Sequence, residues 1–232
     1  MKKSVIISSV LYLAGLIALL FYISIELQPD LFISPMERIL ILFVFCLFTF
    51  LGSRLLHKAY SDSKLKIIKI TFAVYFIFYL GLLINFTLFD AMFSRIGVLG
   101  TVFSDPVTLK IYMENSLNLI PFATIFSYIT AFINHTHSLT GVVINLIGNL
   151  IALMPMALFL PIFFKGLRKV LPFVISVAGA VLIIEILQLV FAVGACDIDD
   201  LILNVSGALM AFGILHIKPI KALVEKIIMI AI

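Results

Sequence analysis

Polar residues interrupt an otherwise oily chain at four places, and their types and spacing are those of chemistry rather than of solvation. Asp197 and Asp200 stand three apart and Asp200 and Asn204 four apart, so a helix beginning near Asp197 aims all three to one side. Glu185 and Gln188, three apart, share a face of the preceding apolar run, and Asn145 and Asn149, four apart, share a face of the run before it. Asn118 opens a shorter apolar stretch upstream. A carboxylate at the centre of a membrane helix is disfavoured by roughly 2.5–3.5 kcal/mol even on lenient insertion scales. Glu185 lies about 14 Å below Gly194, the expected outer end of its run, at 1.5 Å per residue. A glutamate so deep is a functional candidate by default, either protonated at neutral pH or hydrogen-bonded to amides such as Asn145, Asn149, Gln188 and Asn204.

Three kinds of chemistry suit this set. Amides and carboxylates bind hydroxyl, amine and peptide groups better than bare phosphate. Glu185 and Asp200 are the candidates for general acid or base work, although no GxSxG or HExxH signature accompanies them. An oxygen-rich pocket also suits a hard divalent cation, magnesium or calcium, with His135 and His137 as further ligands. Paired loop histidines are more often only solvated; no metal is assigned, and the cofactor is left open. Against all three stands a structural alternative, in which the polar side chains lock helices together through bonds averaging about 0.6 kcal/mol each. Cys196, beside the aspartates, reads as small apolar filler, since neighbouring carboxylates raise a thiol pKa and so disfavour a nucleophile. Cys46 and Cys196 lie far apart and suggest no disulfide framework.

The elements that must position these residues are membrane helices. Of the 232 residues 63% are hydrophobic and 12% charged, with a mean hydropathy of +1.27, far outside the soluble range and unlike a nucleic-acid-binding chain. The spacing predicts six spans, Val5–Ile25, Ile39–Leu56, Ile67–Phe89, Gly141–Phe164, Leu171–Gly194 and Leu201–Ile217, in an all-α polytopic bundle. Val5–Ile25 is too long for the apolar core of a signal peptide and no Ala-x-Ala site follows, so a retained helix is expected. All the basic residues except Arg38, Arg95 and Lys110 fall in alternate segments, which predicts both termini in the cytoplasm.

Leu117–Ile133 is short for a span and begins with Asn118 and Pro121; if it crossed, Lys165, Arg168 and Lys169 would stand outside. It is therefore expected to be re-entrant or interfacial, within an outer loop from Asp90 to Thr140. Pro155 and Pro161 are expected to bend the fourth span. Three regions result: residues 1–115, three helices and an outer loop; 116–217, the polar-bearing region; and 218–232, an amphipathic cytoplasmic tail lying on the interface or docked on the protein. On this topology Asn118, Asn145, Asn149, Gln188, Asp197, Asp200 and Asn204 line an outward-facing polar pocket, with Glu185 just beneath.

Residues 115–217 resemble the VanZ-like family of bacterial membrane proteins. The resemblance rests on Asn118–Phe122 (NLIPF), Asn145 with Gly148-Asn149, Pro155 through Leu160-Pro161, Glu185 with Gln188, and the run DIDDLILNVSG from Asp197. It implies a bacterial cytoplasmic-membrane protein at the cell envelope, acting on or binding an envelope lipid or lipoglycopeptide, the founding member being associated with teicoplanin resistance. Two positions depart from the pattern. Ala195-Cys196 stand where family members commonly carry an arginine, and Met156-Ala157 where a glycine follows the proline. The first removes the obvious counter-ion for the carboxylates. Three functions follow as expectations: binding or transport of an envelope lipid, an intramembrane enzyme on a lipid substrate, and a structural or partner-binding bundle.

Overall fold

The computed structural model describes residues 2–26, 28, 35–59, 64–89, 106–136 and 139–232. His137, Arg95, Asp30, Asp90 and Asp105, with the first part of the expected outer loop, lie outside the described residues. Among the described residues six helices are long and apolar enough to cross a membrane, as the hydropathy pattern requires of segments that must satisfy their own backbone groups. The chain is a multi-pass, all-α membrane protein whose described residues form two compact units, 1–78 with 226–230 and 79–225 with 231–232.

In the first unit, α1 (Lys2–Glu26) packs along α2 (Pro35–Ala59), followed by the first part of α3 (Lys64–Ile84). The two helices approach closely because small residues meet. Ser8 Oγ donates to the Gly52 carbonyl at 2.7 Å, and a Cβ added at Gly15 would press on Thr49. Phe45, Tyr75 and Phe78 form an aromatic core, while Val10, Leu13 and Ile17 of α1 are exposed, as lipid-facing side chains are.

The second unit carries every candidate site residue. The end of α3 continues as a π turn, Asn85–Phe89. Then come α4 (Pro106–Asn115), the extended pair β1 (Leu117–Asn118) and α5 (Ala123–Ile133). The fourth span is not one helix. It runs as α6 (Leu139–Val142), a π turn at Val143–Ile147, α7 (Gly148–Ala152), a turn through Pro155, and α8 (Met156–Phe163). Pro155 has no N–H to offer the preceding turn, so the helix restarts there rather than bending. Tyr79 Oη bonds the Ala152 carbonyl at 2.7 Å, satisfying one group the break exposes.

A 3₁₀ turn, Lys165–Arg168, leads into α9 (Val170–Phe191). Its end differs from the expected Gly194. Ala192 is left-handed (φ 53°), the Val193 N–H donates to the Gln188 carbonyl and that of Ala192 to Leu189, the paired bonds of a Schellman cap. The chain then folds back down as β2 (Cys196–Asp197) before α10 (Ile198–His216) and α11 (Lys218–Ile228).

β1 and β2 pair in parallel, Leu117 with Cys196 and Asn118 with Asp197, and the Cys196 N–H reaches the Ser116 carbonyl at 2.7 Å. This two-residue bridge departs from the all-α expectation for a physical reason: it satisfies backbone groups of two segments that leave helical geometry beside apolar helices. Tyr112 Oη ties α4 to the same turn through the Gly194 carbonyl at 2.8 Å. In the tail, Lys221 pairs with Glu225 at 3.8 Å, and Ile228, Ile230 and Ile232 are buried.

Candidate functional site

Two of the three aspartates, Asp197 and Asp199, tie neighbouring segments together, and the third, Asp200, lines two cavities. Asp197 is the N-cap of α10: it is extended (φ −119°, ψ 123°) and accepts from the Asp199 N–H at 2.8 Å. Its oxygens also accept from Asn118 Nδ2 at 3.1 Å and from the Thr124 hydroxyl at 2.6 Å. Three donors thus serve the carboxylate where the resemblance led one to look for an arginine.

Asp199 is fully buried and accepts from the backbone N–H groups of Phe122 and Ile125, at the start of α5. That helix has no side-chain cap of its own, and its N-cap, Phe122, is left-handed at φ 66°. One helix therefore caps another, and the carboxylate complements the positive end of the α5 dipole.

Asp200 is half-buried. It accepts from Asn149 Nδ2, and its backbone carbonyl accepts from Asn204 Nδ2 at 2.8 Å. Glu185, 4% exposed, accepts from the Asp197 N–H at 3.1 Å through Oε2. The turn after α9 thus sets the Asp197 amide on the glutamate carboxyl.

Two cavities meet at Asp200. The smaller, about 40 Å³, is lined by the polar side chains of Thr87, Asn149, Glu185, Gln188, Asp200 and Asn204 over an apolar base that includes Leu153 and Val181. The larger recess, about 160 Å³, is lined by Thr124, Tyr128, Asn145, Asp197 and Asp200 with Leu146, Ala195 and Leu203. Asn145 and Asn149 thus fall on different cavities, not on one shared face. The intervening π turn closes i to i+5 bonds, so four residues no longer return to the same side, and Asn145 Nδ2 is turned to the Gly141 carbonyl at 2.9 Å. Asn118 lines neither cavity and instead brackets Asp197 against Thr124. Gln188 Nε2 donates to the Thr87 carbonyl at 2.9 Å, while its Oε1 is buried with no hydrogen-bond partner.

Burial, then the nearby charges of Asp200 and Asp197, push the Tyr128 phenol up, so it stays a hydroxyl at the recess. Burial, then Glu185 and Asp197, raise the Cys196 thiol, which argues against a thiolate nucleophile, as the sequence suggested. Among the described residues no group of three His, Cys, Asp or Glu side chains is arranged to hold a metal, and His135 lines neither cavity.

Sequence reasoning passed over Asp199, Thr124, Tyr128 and Thr87. A signal for Asp199 was present: Pro121-Phe122-Ala123 opens an apolar helix without a Ser, Thr, Asp or Asn at the cap position, so its N–H groups needed an acceptor from elsewhere. Gly207 permits the tight packing of α10 on α7, since a Cβ there would overlap the Leu150 carbonyl.

A family model described as VanZ/LLP1 matches residues 72–219, which contain both cavities and every residue named in them. No curated protein and no solved structure matches the chain.

Proposed function

The chain belongs to the VanZ/LLP1 family, and from that premise we propose that it binds the donor-rich headgroup of a cell-envelope lipid, or a sugar or amine of a lipoglycopeptide, and so contributes to glycopeptide (teicoplanin) resistance. One observation carries this reading. The 160 Å³ recess is walled by two carboxylates, an amide and two hydroxyl groups, with no Lys, Arg or His in its lining. Such a wall accepts hydrogen bonds from hydroxyls and amines and repels phosphate. At about 160 Å³ the recess suits one headgroup-sized moiety and not a whole glycopeptide. The acyl tail then stays in the bilayer against the exposed apolar helix faces. Ala195, where family members commonly carry arginine, leaves the recess open instead of filling it with a cation.

The charge pattern supports a cytoplasmic-membrane location with both termini inside and the recess toward the envelope. Asp200, with Asn145, Tyr128 and Thr124, contacts the ligand; Asp197 orients Thr124 and holds the wall. In a deletion strain carrying either the natural chain or Asp200→Asn, teicoplanin susceptibility and the composition of surface wall precursors are the readouts. The natural chain restores both and the variant restores neither, although it accumulates in the membrane and melts with the natural chain in choline chloride. A strain whose susceptibility and precursors do not respond to deletion under any growth condition sinks the proposal.

A structural role is the second reading, favoured by Asp197 and Asp199, whose hydrogen bonds join α10 to α5 and β1. It predicts that function falls in proportion to stability in variants of Asp200 and Glu185 as well. Lost function at full stability decides against it.

A further inference from the structure

The smaller cavity poses a separate problem. Gln188 is 2% exposed, and its Nε2 is committed to the Thr87 carbonyl, which fixes the amide orientation: turning it over would set Oε1 against another acceptor. Oε1 is therefore a buried acceptor without a donor, a condition that is destabilising if nothing fills it. One donor of each other polar group on the same wall is also turned on a protein acceptor. The Thr87 hydroxyl bonds the Leu83 carbonyl at 2.7 Å, Asn149 Nδ2 bonds Asp200, and Asn204 Nδ2 bonds the Asp200 carbonyl at 2.8 Å. What the lining presents is oxygen: the Gln188 amide, the asparagine amides and the carboxylates of Glu185 and Asp200, with no Lys, Arg or His among them.

Two carboxylates and an amide oxygen without a donor, with no basic side chain beside them, complement a cation, whose charge offsets theirs, better than a neutral water. Size and charge select the ion. The cavity is small, about 40 Å³, and magnesium gives up its waters reluctantly and brings several with it. Calcium takes six to eight oxygens at carboxylate-rich sites, and two carboxylates are few for a divalent ion.

We propose that the cavity between Gln188, Glu185, Asp200, Asn149 and Asn204 is a binding site for one dehydrated monovalent cation of sodium size. It lies against the recess through the shared Asp200, so the ion's charge bears directly on the group that lines both cavities. The site does not depend on the lipid reading, and its test contains neither lipid ligand nor antibiotic.

The full chain in detergent is titrated with radioactive sodium at fixed ionic strength, choline chloride replacing sodium chloride, and its melting temperature is followed over the same range. The expected result is saturable binding of one sodium per chain and a melting temperature that rises with sodium but not with choline. Asp200→Asn and Glu185→Gln, both close in shape to the natural residues, each weaken half-saturation by roughly tenfold or more. Should either variant fail to fold, the natural chain alone decides the matter. Absence of saturable sodium binding, with equal melting in sodium and choline, overturns the proposal and leaves the cavity to water. Binding unaffected in both variants overturns the assignment to this cavity.

Discussion

Replacing Asp199 by alanine removes the only side-chain acceptor shown at the start of α5. The two bonds lost run from the Phe122 and Ile125 amides to a buried carboxylate, and hydrogen bonds to a charged group contribute about 1.5–3 kcal/mol each. The favourable interaction of the carboxylate with the helix N-terminus, about 0.3–1 kcal/mol or more when buried, goes with them. Phe122 is held left-handed at φ 66°, a conformation that costs of order 1 kcal/mol or more for a bulky side chain, and it loses one of the contacts that stabilise it there. The expected loss is therefore at least about 3 kcal/mol. At roughly 2–4 °C per kcal/mol for a domain of 150–250 residues, the melting temperature falls by about 6–12 °C. Asp199→Asn keeps one acceptor oxygen but no charge and falls by roughly half as much. The chain has no Trp, so far-UV circular dichroism in detergent is the suitable melting probe, with amide hydrogen exchange over residues 120–126 as the local one. Both variants melting within about 1 °C of the natural chain, with unchanged exchange in that peptide, would refute the reasoning.

Gly207→Ala sets a methyl group against the Leu150 carbonyl, which is backbone and cannot swing aside; a cost of about 1–3 kcal/mol or more is expected, read as lowered melting and lowered yield of folded protein, with Gly213→Ala, whose added Cβ meets nothing, as the neutral control. Thr124→Val removes the hydroxyl that donates to Asp197 at 2.6 Å and should cost about 1.5–3 kcal/mol, whereas Thr124→Ser retains most of the stability; equal melting of the two variants counts against the bond. Because burial and then Glu185 and Asp197 raise the Cys196 thiol, its thiolate fraction at pH 8 is below that of a free cysteine; iodoacetamide labelling should be slow there and climb steeply toward pH 10, and Glu185→Gln, which removes a negative charge, should speed it at pH 8. Labelling at the rate of a free thiol throughout would contradict the electrostatic account.

The membrane class, the six spans and the family were legible in the sequence because each depends on quantities the chain carries locally: the length of an apolar run, and the order of short motifs such as NLIPF and DIDDLILN. The helical spacing of Asp200 and Asn204 was legible for the same reason, since α10 is regular there and the two line one cavity. The division of labour among the aspartates was not. Asp199 looked like one acid in a cluster, and only the arrival of α5 from 74 residues away made it that helix's cap. Asn145 and Asn149 keep their sequence spacing but lose their common face, because a π turn between them changes the rotation per residue, and a pattern rule written for 3.6 residues per turn cannot register that. Glu185 was recognisable as deep and costly, yet its partner, the Asp197 amide, is supplied by a turn that folds back below the end of its own helix. Periodicity reports which way a side chain leaves its helix. What it meets is decided by segments distant in sequence, whose backbone groups must find partners among the helices, and that requirement acts only once the chain is folded.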